Sequence, residues 1–226
     1  MSIADNWVAV RKLIQEAEIK YQRPRGSVSL LAVTKSQSVG KIIEAIECGQ
    51  IHFGENYLQE AIMKIKSLQQ YSLNWHFIGR IQANKTRAIA ENFSWVHSVS
   101  RYTIAKRLHQ QRPDRLGPLN VCVQVNIDHD PQKQGASINE LPELMSQLLS
   151  LKKLTLRGLM VIPSGENNFS KQRQVYRQLA VVQQFLVGQG FRLDTLSMGM
   201  SPDFEAAIAE GSTIVRLGTA IFGERR

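Results

Sequence analysis

The chain has 226 residues, 43% of them hydrophobic, with a formal net charge of +9 and two cysteines, Cys48 and Cys122. That supplies one full core, so a single domain spanning 1–226 is expected, while two cysteines cannot build a disulfide framework or a thiolate metal site and read as buried structural thiols. The Lys and Arg residues are scattered, as at Lys64, Lys66, Lys152 and Lys153, with no RNP, zinc-finger or helix-turn-helix pattern, which argues for a solvated surface biased toward anionic small molecules and against nucleic acid.

The first residues lack the basic start and apolar stretch of a signal peptide. No segment approaches the roughly 20 apolar residues needed to span a bilayer, so a cytoplasmic protein without membrane association is expected. Ile3, Trp7, Val10, Ile14 and Ala17 recur at helical spacing behind a capping Ser2, so the chain opens with an amphipathic helix. Short apolar runs then read as strands at 29–35, 51–54, 74–79, 94–99, 119–127, 154–163, 195–200 and 213–217. Helix-like stretches separate them at 39–48, 57–69, 85–91, 101–110, 140–150, 171–187 and 202–210. Alternating βα units imply parallel strands with helical crossovers. Eight of them in a chain of about 200 to 250 residues predict a single (β/α)8 TIM barrel with an extra N-terminal helix. The first turn, Lys35-Ser36-Gln37, lacks the glycines that an open dinucleotide-binding sheet shows there.

Strand parity assigns faces, since residues alternate between the barrel interior and the helix layer. In the fifth strand Val121, Val123, Val125 and Ile127 suit the helix side, and Cys122, Gln124 and Asn126 the interior. By the same alternation Lys35 lies with Leu31 and Val33, Arg216 with Ile214, and Met198 with Leu196 and Met200.

A barrel of this kind builds its site at the carboxyl ends of its strands. Lys35 ends the first strand, where apolar neighbours that disfavour its charge would free an amine for Schiff-base chemistry; the bland alternative is a lysine snorkelling at a strand end. Ser201 reads as an N-cap with Pro202 in the first turn after strand seven, and Gly218-Thr219 follows strand eight. Together they match the phosphate position of this fold. Arg216 must find a phosphate, a ring acceptor or a buried acid such as Glu55 or Glu205. An amine, a phosphate cradle and a fixed cation at one mouth suit pyridoxal 5′-phosphate. His52, His76, His97, His109 and His129 show no metal-ligand spacing and take no catalytic role, and Asp128-His129-Asp130 reads as a solvated loop.

The stretches LLAVTK (30–35), FGENYLQE (53–60), WHFIGRIQANKTR (75–87), VHSVS (96–100), GLMVIP (158–163), LSMGMSPDFEAAI (196–208) and VRLGTAIFG (215–223) resemble the pyridoxal phosphate homeostasis proteins, in the same order and nearly end to end. The resemblance implies a barrel like the N-terminal domain of alanine racemase, the type III fold of pyridoxal-phosphate proteins. It implies Lys35 as the internal aldimine lysine, Ser201, Gly218 and Thr219 on the phosphate, and Arg216 on the pyridine nitrogen. Asn56 and Met198 border the ring on the resemblance alone.

An arginine stays protonated and leaves the pyridine nitrogen unprotonated, which weakens the ring as an electron sink. Alanine racemases add a second acid/base from a C-terminal domain. Here the sequence ends at Arg226, soon after the eighth strand, so that domain and its tyrosine are not expected, and Tyr57 is expected to pack within a helix. The expected function is non-catalytic cofactor homeostasis bearing on amino-acid and keto-acid balance, by a monomer that passes the cofactor to apo-enzymes. The alternatives are a small amino-acid racemase on the same cofactor, a Schiff-base aldolase acting on a sugar phosphate, and a basic nucleic-acid binder.

Overall fold

The computed structural model describes residues 2–128, 130 and 132–224. Helix α1 (Ile3–Lys20) opens the chain with a reciprocal cap: the Ser2 hydroxyl accepts from the Asp5 amide at 3.1 Å and the Asp5 carboxylate accepts from the Ser2 amide at 3.0 Å. Its buried face, Ile3, Val10, Ile14 and Ala17, packs toward the last two helices. The buried Glu18 carboxylate then accepts from the amides of Gly26 and Val28, at 3.0 and 2.8 Å, and fixes the entry into the first strand.

Eight parallel strands follow and close in sequence order: β1 (Ser29–Val33), β2 (His52–Glu55), β3 (Asn74–Phe77), β4 (Trp95–Val99), β5 (Leu119–Gln124), β6 (Leu154–Met160), β7 (Thr195–Ser197) and β8 (Ile214–Leu217). The crossovers carry α2 (Val39–Glu47), α3 (Leu58–Ser67), α4 (Thr86–Asn92), α5 (Tyr102–Gln111), α6 (Leu141–Leu149), α7 (Phe169–Gly188) and α8 (Phe204–Ala209), and α9 (Thr219–Phe222) follows β8. Strand β1 pairs with both β2 and β8, with Leu31 opposite Arg216, so the ends of the first and last strands share one mouth.

The main hydrophobic core lies between strands and helices and includes Val121, Val123, Val125 and Ile127 of the fifth strand region, as parity predicts. A second, small cluster of Leu31, Val33, Ile78 and Ile214 fills one side of the interior. Polar side chains of the strands are buried as well, namely His76, His97, Gln124, Ser197 and Arg216.

Three local expectations are corrected. Ser201 is not an N-cap: residues 201–203 form a turn, in which the Asp203 carboxylate accepts from the Met200 amide at 2.6 Å, and α8 starts only at Phe204. Tyr57 stands at the N-cap position of α3 and is exposed rather than packed. Cys48 is half-buried; Cys122 is the fully buried thiol, and burial raises it to about 12. His129 and Pro131 lie outside the described residues. Around them, Asp128 is tied down by Lys133 at 2.5 Å and by the Ser164 amide at 2.8 Å.

Candidate active site

The C-terminal mouth of the barrel holds a cavity of about 320 Å3 lined by Lys35, Asn56, Ser201, Arg216, Gly218 and Thr219. Six of the seven residues singled out from the sequence therefore converge. Met198 does not: it is fully buried in the core between barrel and helices and is not among the lining residues. The break comes at Gly199, whose φ of +96° interrupts the alternation; a side chain there would bring its Cβ to 2.6 Å from Ala207. Met200, two residues beyond Met198, lines the cavity instead, with Gln37, Ile78 and Ile162.

The main chain on either side of Lys35 is clamped by groups that local spacing did not reveal. The Thr34 amide donates to the Gly54 carbonyl at 2.9 Å and the Thr34 hydroxyl to Glu55 at 2.6 Å, while Lys64 donates to the Thr34 carbonyl at 2.6 Å. Ser36 adopts φ +60°, a strained conformation for a residue with a side chain, and its amide is held by Glu60 at 2.7 Å. Lys64 also pairs with Glu55 and Glu60, at 2.7 and 2.5 Å. Burial pushes the Glu55 carboxyl upward, against the bonds from Lys64 and Thr34.

Arg216 resolves the choice left open by the sequence. Glu55 belongs to Lys64, and Glu205 faces outward to Lys20 and Tyr21. Among the described residues Arg216 makes no ion pair. Its Nη1 donates to the Ser197 carbonyl at 2.6 Å and hydroxyl at 2.9 Å, and its Nη2 to the Val161 carbonyl at 2.8 Å. Burial pulls the guanidinium below its ordinary value. Three of its five N–H groups are thus spent on neutral barrel atoms, and the group lines the cavity as a fixed donor.

Gly218 precedes α9: the Ile221 and Phe222 amides turn back onto the Gly218 carbonyl, at 3.0 and 2.9 Å, which leaves the Thr219 and Ala220 amides without an acceptor among the described residues. A side chain at Gly218 would place its Cβ 3.1 Å from the Val33 carbonyl, so glycine permits the close approach of the loops after β1 and β8. At Gly79 an added Cβ would collide with the Asn56 carbonyl, which sets how the loops after β2 and β3 pack. The Asn56 side-chain oxygen is buried without a hydrogen-bond partner among the described residues. An amine, a fixed guanidinium, free amides with two hydroxyls and an orphaned acceptor fit an aromatic aldehyde that carries a phosphate.

This closed parallel barrel, with a lysine, an arginine and two hydroxyls on one cavity at its C-terminal mouth, has the architecture of the alanine racemase-like barrels. The family model for the N-terminal domain of alanine racemase matches residues 3–226. The chain is 48% identical over 226 residues to the pyridoxal phosphate homeostasis protein of Escherichia coli strain K12, covering 99% of this chain and 97% of that protein. It is 49% identical over 224 residues to the one of Pseudomonas aeruginosa, covering 99% and 96%. PipY of Synechococcus elongatus PCC7942, whose structure was solved with PLP bound, superimposes with a TM-score of 0.87 at 36% identity over 98% of this chain and all of that one. The chain belongs to the pyridoxal phosphate homeostasis protein family. Alanine racemase of Corynebacterium glutamicum, at 18% identity and a TM-score of 0.70 over 60% of its length, shares the fold. Among the described residues no helix is long and apolar enough to cross a membrane.

Proposed function

We propose that the protein binds pyridoxal 5′-phosphate at this mouth, linked through Lys35, and serves cofactor homeostasis rather than amino-acid turnover. The observation that carries the reading is the convergence of Lys35, Arg216, Ser201 and Gly218-Thr219 on one cavity. The relatives' names and the bound ligand of PipY support it. When bound, the cofactor supplies an aldehyde that condenses with an amine with loss of water, and a pyridine ring that withdraws electrons.

Lys35 provides the amine from a main chain held on both sides by Thr34 and Ser36. The Ser201 and Thr219 hydroxyls and the first amides of α9 would hold the phosphate, and Asn56 would border the ring. Arg216 would donate to the pyridine nitrogen while keeping its own proton, which would leave the ring a weak electron sink. Among the described residues, the ionisable groups that line the cavity are Lys35 and Arg216, which supplies one candidate base and a cation that does not give up its proton. A positioned acid or base contributes roughly 10²- to 10⁴-fold in rate, so turnover that needs a second one is slow here. Transfer to apo-enzymes by a monomer belongs to the same reading.

Deuterium exchange at the α-carbon of alanine and serine, followed by NMR with the cofactor-loaded protein, tests the non-catalytic part. Slow exchange without racemisation is expected. Exchange or racemisation at ordinary enzymatic rates would establish a racemase instead.

A further inference from the structure

The three strand histidines, which the cofactor chemistry leaves unused, form one continuous chain through the barrel interior. His52 Nδ1 lies 3.1 Å from His76 Nε2, His76 Nδ1 lies 2.9 Å from His97 Nε2, and His97 Nδ1 lies 2.7 Å from the Ser197 hydroxyl, which accepts from Arg216. The chain starts at the N-terminal mouth, where the half-buried His52 lines a second cavity of about 260 Å3 with Trp95, Arg157 and Asp194. It ends at the guanidinium that lines the cofactor cavity at the other mouth. Trp95 fixes its middle: His76 stacks on the indole at 5.3 Å with an interplanar angle of 8°, and the Arg157 guanidinium sits over the same ring at 4.8 Å.

Arginine can only donate, and that orders every proton in the chain. Ser197 is fully buried and accepts from Arg216. If His97 Nδ1 also carried a proton, Ser197 would accept twice and its own hydroxyl proton would be left unbonded in the interior, at a cost that buried polar groups avoid. The Ser197 hydroxyl therefore donates to His97 Nδ1, and His97 Nε2–H donates to His76 Nδ1. His76 Nε2–H in turn donates to His52 Nδ1. Burial keeps the imidazoles neutral, pulling His97 down to about 3 and His76 well below its ordinary value, so each has one donor and one acceptor to spend.

We propose that His52, His76 and His97 form a proton-ordered relay from the N-terminal mouth, and that His97, acting through Ser197, is a positioning residue for Arg216 in the cofactor site. The arrangement fixes which N–H groups of Arg216 are committed to the barrel and which face the ligand, and it ties that choice to a surface at the far end of the barrel. The effect on the cofactor rests on the functional reading above; the tautomer order does not.

Two experiments separate them. In the cofactor-free protein, long-range proton–nitrogen NMR of the imidazoles is expected to show His52, His76 and His97 as neutral Nε2–H tautomers at pH 7. Replacing Ser197 with alanine should release the preference at His97. Mixed or inverted tautomers in the unsubstituted protein would overturn the relay whether or not the cofactor binds.

The second experiment uses the cofactor's visible spectrum, its pH profile and its retention on dialysis. An asparagine amide occupies the place of Nδ1 and can still accept from Ser197, whereas a glutamine amide occupies the place of Nε2 and cannot. His97→Asn is expected to keep the unsubstituted spectrum and retention. His97→Gln should alter the pH profile and weaken retention roughly tenfold, the scale of one lost hydrogen bond. A purely space-filling role for His97 predicts equal effects of the two substitutions, and that result would overturn the positioning role. If the unsubstituted protein acquires no chromophore with pyridoxal phosphate, the functional reading fails and the NMR result alone decides the relay.

Discussion

Lowering the pH from 7 to 5 loads a proton onto every histidine of the unfolded chain but not onto the fully buried His76 and His97. His97 has an ordinary value of 6.5 and is held at about 3 by burial, with the nearby Arg216 charge adding to the effect. Because the folded pKa is depressed, stability from this group is present above 6.5 and is lost as the pH falls from there toward 3. Within that window each pH unit is worth about 1.36 kcal/mol, so the loss between pH 7 and pH 5 is about 2 kcal/mol for His97 alone. For a chain of this length that corresponds to a fall in Tm of roughly 4 to 8 °C. His76 acts in the same direction. Urea unfolding at the two pH values, on the unsubstituted protein and on His97→Asn, measures the share directly: the substitution should remove about 2 kcal/mol of the pH-dependent loss. Glu55, shifted upward, opposes the trend in both proteins and cancels in the comparison. An unchanged pH slope in His97→Asn would refute the assignment of His97 as a buried neutral imidazole.

Replacing both Ser201 and Thr219 with alanine should weaken cofactor retention by about 1.5 to 3 kcal/mol per hydrogen bond to the phosphate, with an unchanged circular dichroism spectrum; equilibrium dialysis reads the loss. Lys64→Met leaves Glu55 buried without its cation and should cost about 3 to 5 kcal/mol in urea unfolding, most of it recovered when Glu55→Gln is added. In the native protein the half-buried Cys48 should react with a thiol reagent well before the buried Cys122, whose thiol is raised to about 12, and both should react in denaturant.

Much of the site was legible because a barrel converts sequence order into position. Eight βα units place successive strand ends around one mouth, and period-two alternation puts Lys35 and Arg216 inside it. Local chemistry was harder to read. Ser201 carries an N-cap's hydroxyl, but its neighbour Pro202 and the Asp203 carboxylate on the Met200 amide build a turn first, and the helix starts later. The parity of Met198 and Met200 fails at Gly199, and an isolated glycine in a strand pattern is the available warning. The Glu60–Lys64 pair stands at helical i,i+4 spacing, yet its extension to Glu55 and Thr34 needs the packing of α3 on β2. The histidine relay joins residues 24, 21 and 100 positions apart on four different strands, so nothing in their spacing reveals that they touch.

Every role proposed for the C-terminal mouth depends on Lys35 carrying the cofactor. Incubating the purified protein with pyridoxal phosphate, reducing it with borohydride and locating the modification by mass spectrometry tests that linkage without intermediaries. A stoichiometric pyridoxyl group on Lys35, absent from Lys35→Ala, is the expected result. A chromophore retained in Lys35→Ala, or a stoichiometric modification at another lysine, would contradict it.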